Sequence, residues 1–257
     1  MTMRTDYKAM QRYIFILLAT LTLGACSTAP KQKGDEIIEP VFSPERILDP
    51  EAVHLSDTIS DPFQGFNRTM YRFNYHFDRY VFLPAVRGYQ AVTPEFAERG
   101  IHNFFNNIRD ITTLFNSVLQ VNASKSLETT TRVVFNTTIG LLGFIDVASA
   151  MDIPRHREDF GQTLGYWGVG NGPFLVLPIL GPSNVRDGVG LGVDMYVQTT
   201  LRDELDLETW QEWTWTGLNA LDLRANTAFR YFETGSPMEY ELVRLLYTTM
   251  RRMEIER

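Results

Sequence analysis

The sequence predicts a mainly α fold, in which several helices with short connections form one domain that also carries a short apolar hairpin. Apolar residues recur at steps of three and four in successive segments, the spacing of a helix that buries one face. Helix-starting pairs precede two of these segments, Asp61-Pro62 and Thr93-Pro94. The exception is the segment from Gly161 to Gly192, which holds nine of the 18 glycines and disfavours helix.

The first predicted helix begins at Asp61-Pro62, with Ser60 or Asp61 as its N-cap, and it is unusually aromatic. Its spacing places six apolar residues on one face: Phe63, Phe66, Met70, Phe73, Phe77 and Tyr80. A partial second strip contains Tyr71, Tyr75 and Phe82. Two such strips favour a buried core on both sides, and contact with a membrane is the alternative.

Three further helices are expected before residue 141. The second begins after Thr93-Pro94 and buries Phe96, Ile101, Phe104, Phe105 and Ile108. Asp110 is expected to cap a short third helix. Ser124 or Ser126 begins a fourth, which reaches Gly140.

The predicted hairpin lies in the glycine-rich segment, between Gly172-Pro173 and Gly181-Pro182. Its seven apolar residues are Phe174, Leu175, Val176, Leu177, Pro178, Ile179 and Leu180. Pro178 cannot donate a ladder hydrogen bond, so it belongs at a sheet edge or a turn tip. The pattern fits a buried strand pair and a hairpin that contacts lipid equally well.

Helical periodicity returns from Val185 to Gln198 and from Leu207 to about Phe232. The second of these helices carries Trp210, Trp213 and Trp215. Burial of the three indoles is favoured, and a position at a membrane–water interface is the alternative. A capping box from Ser236 to Glu239 predicts a last helix through Arg251.

The N-terminal residues are typical of a bacterial lipoprotein signal that ends at Cys26, the only cysteine. Basic residues precede an apolar core from Tyr13 to Leu23, and this core is too short to span a bilayer. We therefore expect a signal peptide over residues 1–25, a lipidated tether over 26–60 and a helical domain over 61–257. Ser27 after the cysteine favours the outer membrane. Stable attachment needs more than one acyl chain, which lipoprotein modification supplies.

Composition and motifs exclude several classes of function. The net charge of −7 argues against nucleic acid as a partner. The sequence has no Gly-x-Ser-x-Gly elbow and no His-Glu-x-x-His pair, so we expect no catalytic residues, no metal and no cofactor. The charged run from Arg155 to Asp159 is interpreted as a solvated loop.

Several motifs together resemble the MlaA (VacJ) lipoprotein family. The first is Asp61-Pro62-Phe63-Gln64-Gly65-Phe66-Asn67-Arg68, followed by Phe73-Asn74. The others, in order, are Asn103-Phe104-Phe105, Asn116, Leu119-Gln120, Gly143 to Ala148, Phe160 to Gly165, Gly172-Pro173, Leu177-Pro178, Gly181-Pro182 and Arg186-Asp187. Departures such as Gln64, Arg109-Asp110-Ile111 and Val121 affect local turns only.

The resemblance implies a ring- or disc-shaped helical protein that lies in the inner leaflet of the outer membrane and surrounds an amphipathic channel. It implies removal of phospholipids that have strayed into the outer leaflet and their delivery to a periplasmic carrier (MlaC-like). Trimeric porins are the implied membrane partners, and a porin-binding adaptor that moves no lipid is the alternative. Asp61, Pro62, Gly65, Phe66, Asn67, Arg68, Phe73 and Asn74 are candidate channel-wall residues; bracing of neighbouring helices is the other role open to Asn67 and Arg68.

Overall fold

The computed structural model describes residues 59–233 and 238–256. Cys26, the predicted signal peptide and the tether before residue 59 lie outside the described residues. The α-helices are α1 (Gln64–Phe77), α2 (Leu83–Val92), α3 (Glu95–Leu119), α4 (Ala123–Thr138), α5 (Val147–Ala150), α6 (Phe160–Tyr166), α7 (Val185–Asp203), α8 (Thr209–Ala225) and α9 (Glu239–Ile255), and a π-helical turn, Asp78–Phe82, joins α1 to α2. The mainly α prediction is confirmed.

The hairpin consists of two antiparallel strands, β1 (Phe174–Leu177) and β2 (Gly181–Asn184). Phe174 pairs with Asn184 and Leu177 with Gly181, so a three-residue turn joins the strands. Pro178 lies in that turn, as its missing N–H requires. Helix α1 packs along β1, and α9 packs against β2.

Two predicted helix starts are wrong, because the aspartates concerned bind other partners. Helix α1 begins at Gln64, three residues after Asp61, and has no side-chain N-cap. Helix α3 continues through Asp110 without a break, since the Asp110 carboxylate faces Arg155 and Arg132 and caps no helix. The fourth predicted helix is confirmed as α4, although Asn122 caps it in place of either serine.

The two C-terminal helices also differ from prediction. Helix α8 ends at Ala225, seven residues before the expected end at Phe232. The last helix is confirmed as α9 but begins at Glu239, whose buried carboxylate accepts a hydrogen bond from Tyr71 Oη at 2.6 Å. Ser236, the expected cap, lies in the gap between the described ranges.

The polarity of this fold is inverted relative to a soluble domain. Among the described residues, eight apolar side chains are buried against 25 polar or charged ones. Large apolar side chains lie instead on the surface of almost every element, and Phe96 on the predicted buried side of α3 is one of them. Soluble domains bury their apolar residues and expose their charges. Helical spacing therefore identified the apolar faces correctly, but most of these faces point outward.

Helices α6 and α7 cross at a contact between two glycines. A Cβ atom on Gly190 would lie 2.3 Å from the backbone nitrogen of Gly161 and 2.6 Å from its Cα. No relaxation of a side chain can relieve such a clash, because the contacted atoms belong to the backbone. The glycine-rich composition thus serves close packing of two helices at this point.

We expect Gly190→Ala to separate α6 from α7 and to lower the free energy of unfolding by about 1–3 kcal/mol. Gly192→Ala is a matched control on the same helix, since nothing lies within 4 Å of the position that its Cβ would take. Alanine is the better helix former, so the control should be neutral or stabilising by up to about 1 kcal/mol. Thermal unfolding of both variants in one detergent measures the difference; equal stability would contradict the crossing.

Candidate functional site

The aromatic face of α1 is exposed, contrary to the favoured prediction of a core on both sides. Phe66 exposes 49% of its surface and Phe73 and Phe63 nearly as much. Residues Pro62 and Gly65 are also exposed at the start of this helix. The second strip behaves differently, because Tyr71 is buried and its ring packs edge-on against Tyr231 and Phe232.

The polar face of α1 is the buried one, and it holds the hairpin. Asn67 exposes none of its surface; its amide donates to the carbonyl oxygen of Phe174 at 3.0 Å and accepts from the Val176 N–H at 2.8 Å. Asn74, two helical turns later, donates to the Leu177 carbonyl at 2.9 Å and accepts from the Ile179 N–H at 2.6 Å. Two asparagine side chains thus pair with the free edge of β1, as a neighbouring strand would.

Asp61 connects the start of the domain to its last helix. Its carboxylate accepts hydrogen bonds from Asn67 Nδ2 at 2.7 Å, from Tyr240 Oη at 2.5 Å and from Arg244 Nη1 at 3.1 Å. Burial, with the neighbouring Asp61 charge, raises the pKa of Tyr240. Arg68 pairs with Glu241 and lies 4.6 Å above the Tyr240 ring. These contacts favour bracing roles for Asp61, Asn67 and Arg68 over positions in a channel wall.

The hairpin divides into a buried base and an exposed tip. Phe174 and Val176 are buried, and Val176 exposes none of its surface. Ile179 exposes 46% and Leu180 52%, and Pro178 beside them is exposed as well. Ile179 also has a positive φ of 68°, which a β-branched residue rarely adopts. The base of the segment is therefore a buried strand pair, as one alternative predicts, and its tip is exposed, whereas contact of the tip with lipid stays a prediction.

The tryptophans of α8 are mostly exposed, contrary to the favoured prediction. Trp213 exposes 74% of its surface and Trp210 more than half, whereas Trp215 packs edge-on against Phe104 and Phe105. Among the residues that the structure covers, no helix combines the length and apolarity needed to cross a bilayer.

A second exposed apolar surface lies on α3, α4 and the loop that follows α4. Its members are Phe115, Val118, Val121, Leu127, Val134, Ile139, Leu141, Leu142 and Ile145. Leu141 and Leu142 both adopt positive φ. An isolated exposed leucine is ordinary, whereas nine exposed apolar side chains on neighbouring elements make this region a candidate for contact with another molecule or with lipid.

An ion-pair network fills the space between α3, α4 and α5. Arg132 is 2% exposed and donates twice to the Asp146 carboxylate, at 2.9 and 3.0 Å, and once to the Ile153 carbonyl at 2.7 Å. Asp110 lies 3.5 Å from Arg132 Nε and accepts from Arg155 Nε at 2.8 Å. The run from Arg155 to Asp159 is therefore a bridge between helices, and the prediction of a solvated loop is wrong.

Two further polar networks join the C-terminal helices. Asp187 accepts from Arg251 Nε at 2.9 Å and from Tyr247 Oη at 2.7 Å, and Arg251 also binds Asp159 at 2.8 Å. Asn116 donates to Asp194 at 3.0 Å, and burial raises the pKa of Asp194. The motif residues Arg186-Asp187 and Asn116 were sequence signals for these networks, but their partners lie far apart along the chain.

The pKa of Asp146 supports a prediction about acid stability. Burial alone would raise this pKa, but hydrogen bonds from Ser149, Asn136 and Arg132 outweigh it and lower the pKa from 3.8 to about 2. A depressed folded-state pKa stabilises the protein above the unfolded value and loses that effect as pH falls through the folded one. Because solvent screens the partly exposed Asp146 carboxylate, the contribution is on the order of 1 kcal/mol. It should disappear between about pH 4 and pH 2.

We expect Asp146→Asn to be less stable than the parent at pH 7 and to approach it at pH 2. Unfolding measured across this range tests the difference, with Asp152→Asn as the exposed control. A constant gap between Asp146→Asn and the parent from pH 7 to pH 2 would contradict the assignment.

The described residues contain no group of three or more histidine, cysteine, aspartate or glutamate side chains that could hold a metal ion. His102 Nδ1 lies 2.9 Å from Asp222, and Asn106 lies 2.8 Å from its other ring nitrogen. The contact between His102 and Asp222 joins α3 to α8. The observed interactions of the buried charged residues are with one another, with polar side chains and with backbone groups, so these interactions satisfy a polar interior.

Comparison with known proteins decides the family. The model of the MlaA lipoprotein family matches residues 59–254. The chain belongs to this family. The match includes the buried face of α1, the hairpin and the ion-pair networks, whereas Cys26 precedes it.

Two curated relatives carry the same family name, and another is uncharacterized. "Intermembrane phospholipid transport system lipoprotein MlaA" of Escherichia coli is 38% identical over 135 residues, which is 51% of this chain and 54% of that protein. The Haemophilus influenzae protein of that name is 37% identical over 138 residues, 52% of this chain and 55% of its own. An uncharacterized protein of Rickettsia prowazekii is 38% identical over 129 residues, 50% of this chain and 51% of its own. The chain thus spans about half the length of these relatives.

A solved structure also resembles this MlaA-family chain. It belongs to work described as "Structural basis for maintenance of bacterial outer membrane lipid asymmetry". The alignment has a TM-score of 0.60 and 29% identity, and it covers 76% of this chain and 99% of the other. The similarity therefore extends beyond the half of the chain that aligns by sequence.

Proposed function

We propose that this MlaA-family chain is an outer-membrane lipoprotein that removes phospholipids from the outer leaflet and delivers them to a periplasmic carrier. The observation that carries the proposal is the unusual polarity: large apolar side chains are exposed on almost every element, and polar side chains outnumber apolar ones among the buried residues that the structure describes. Lipid solvates such an exterior at no cost, whereas water does not. Movement of a phospholipid through an amphipathic channel needs no covalent chemistry.

The exposed aromatic face of α1, the tryptophans of α8 and the hairpin tip are the proposed membrane contacts. Tryptophan and tyrosine prefer the headgroup region, where an apolar ring and a polar N–H or O–H both find suitable surroundings. Cys26 is the proposed lipid anchor, and with it the protein lies on the periplasmic side of the outer membrane. Cys26→Ala should abolish incorporation of labelled fatty acid and release the protein from the membrane fraction; continued labelling would exclude this anchor.

A deletion strain tests the transport function directly. We expect more phospholipid in the outer leaflet and greater sensitivity to detergent, both restored by the parent gene. An unchanged outer-leaflet lipid content would contradict the proposal. Trimeric porins and an MlaC-like carrier are the proposed partners. In a reconstituted bilayer, binding to porin without transfer of labelled phospholipid to the carrier would identify a porin adaptor instead.

The hairpin tip yields a prediction that separates function from folding. Ile179→Asp places a charge on an exposed apolar tip, so it should impair membrane contact and transport while leaving thermal stability unchanged. Val176→Asp buries a charge without a partner and should prevent folding. Reaction of Ile179→Cys with a bilayer-restricted thiol reagent measures the contact. Full transport by Ile179→Asp, with no reaction of the cysteine variant, would exclude the tip from the membrane.

A further inference from the structure

An apolar groove lies between α3 and α8. No motif residue of α1 or of the hairpin lines it. Its volume is about 290 Å³, and its walls include Ile101, Phe104, Phe105, Phe144, Trp215 and Leu218. Phe104 and Phe105 meet the Trp215 ring at 5.3 and 5.5 Å between centroids and form a rigid aromatic wall. One methylene group takes about 30 Å³, close to the volume of a water molecule. About ten methylene groups would therefore fill this space.

The polar side chains in the groove wall are already used by α8. Gln211 Oε1 accepts from the Glu208 N–H at 2.8 Å, and Thr214 Oγ1 donates to the Trp210 carbonyl at 2.8 Å. The indole N–H of Trp210 donates to Glu208 at 2.8 Å. A polar ligand such as a sugar or an extended peptide would lose hydrogen bonds to water here and regain few, so the groove selects an apolar chain.

Phe144 forms one side of the groove because Gly100 leaves room for it. A Cβ atom at Gly100 would lie only 2.0 Å from the Phe144 ring, so the ring lies directly across α3. The ring thus comes from the loop after α4, and three separate segments of the chain shape the groove.

A cluster of arginines adjoins the groove on the next face of α3. Arg109 lies 6.0 Å from the Phe105 ring centroid, and Arg109 and Arg155 both donate to Asn106 at 3.0 Å. Burial lowers the pKa of Arg109; pairing with Asp222 opposes the shift, and the charges of Arg155 and Arg157 add to it. Arg157 follows Arg155 by two residues along the chain.

Carboxylates match the other arginines of this cluster. Asp222 pairs with Arg109, Asp110 pairs with Arg155, and Asp146 pairs with Arg132. Arg157 is exposed and makes no ion pair within the ranges 59–233 and 238–256. Local positive charge in a chain of net charge −7 is complementary to an anion.

We propose that this groove binds one acyl chain of a glycerophospholipid and that Arg157, beside Arg109 and Arg155, binds its phosphate. The selection of an apolar chain follows from the groove alone, whereas the choice of a phospholipid rests on the proposed function. Apolar burial provides the affinity, and the arginines fix which end of the ligand faces the cluster.

The test uses full-length acylated protein in detergent micelles and phosphatidylglycerol with a photoreactive diazirine near one chain end. We expect crosslinks to groove residues such as Phe104 and Leu218 that saturate and that unlabelled phosphatidylglycerol competes away. Thr214→Trp fills the groove from an exposed wall position and should reduce this labelling at least about tenfold. Arg157→Gln should reduce it about two- to fivefold and leave unchanged the labelling by a photoreactive diacylglycerol, which lacks phosphate.

Two variants serve as matched controls. Thr200→Trp replaces another exposed helical threonine that bonds to the carbonyl four residues earlier, and Arg252→Gln replaces an exposed arginine on α9. Both should label like the parent. Labelling that does not saturate, or that persists in Thr214→Trp, would overturn the acyl-chain site; an unchanged Arg157→Gln would overturn the phosphate assignment.

The outcome is separable from that of the proposed function. Saturable groove labelling in a protein whose deletion leaves outer-leaflet lipid unchanged would support the site and contradict the transport function. Normal phospholipid transfer without groove labelling would contradict the site alone.

Discussion

Replacement of Arg132 by alanine is expected to lower the free energy of unfolding by about 3–5 kcal/mol. Arg132 is 2% exposed and neutralises Asp146 and Asp110. Its loss would remove the cation between the two carboxylates and the donor of the Ile153 carbonyl, although Asp110 would keep Arg155 and Asp146 would keep Asn136 and Ser149. Chemical denaturation in a fixed detergent measures the change.

The charge, more than the volume, should cause this loss. Arg132→Met keeps most of the side-chain volume and should be nearly as damaging, whereas Arg132→Met combined with Asp146→Leu removes one buried charge of each sign and should regain part of the stability. Arg87→Ala, at an exposed position on α2, is the surface control. A loss below about 1 kcal/mol for Arg132→Ala would show that solvent reaches the network and that the inferred polar core is incorrect.

Asn67→Ala should lower the free energy of unfolding by about 2–4 kcal/mol, because it leaves the Phe174 carbonyl and the Val176 N–H unpaired at a buried strand edge. The variant also removes a donor from Asp61, which holds α9. We therefore expect faster amide hydrogen exchange in β1 and at the start of α9, together with a lower melting temperature.

A matched control for this variant lies on α3. Asn103→Ala removes an exposed hydrogen bond of 3.2 Å to the Phe144 carbonyl and should cost less than about 1 kcal/mol. Asn67→Leu keeps volume but restores no hydrogen bond, so it should resemble Asn67→Ala. If Asn67→Ala left exchange in β1 unchanged, α1 would not be the element that holds the hairpin.

The sequence located well those elements whose bounds depend on local properties. The start of α3 after Thr93-Pro94, the extent of α4, the hairpin with Pro178 in its turn and the last helix all follow from turn, cap and spacing preferences within a few residues. The ordered motifs likewise indicated the MlaA family, which the family model confirms over residues 59–254. The anchor at Cys26 stays a prediction.

Periodicity could not assign the apolar faces to interior or exterior. A helix of the α1 type has the same spacing of Phe66 and Phe73 whether these rings face a core or a lipid phase. The direction was decided by Asn67 and Asn74, whose amides match the backbone groups of a strand more than 100 residues later in the chain. The same reason explains the exposure of Trp213, which sequence spacing placed in a core.

The sequence by itself determined the helical fold class, the hairpin, the family and the absence of familiar catalytic motifs, because each depends on local spacing or on ordered motifs. The tertiary structure decided which apolar faces are buried and which are exposed. It also decided that Asp110 and Asp61 bind arginines instead of capping helices, and that a groove adjoins the arginine cluster. These features depend on pairs such as Asp187 with Arg251, and no local pattern specifies a partner 64 residues away.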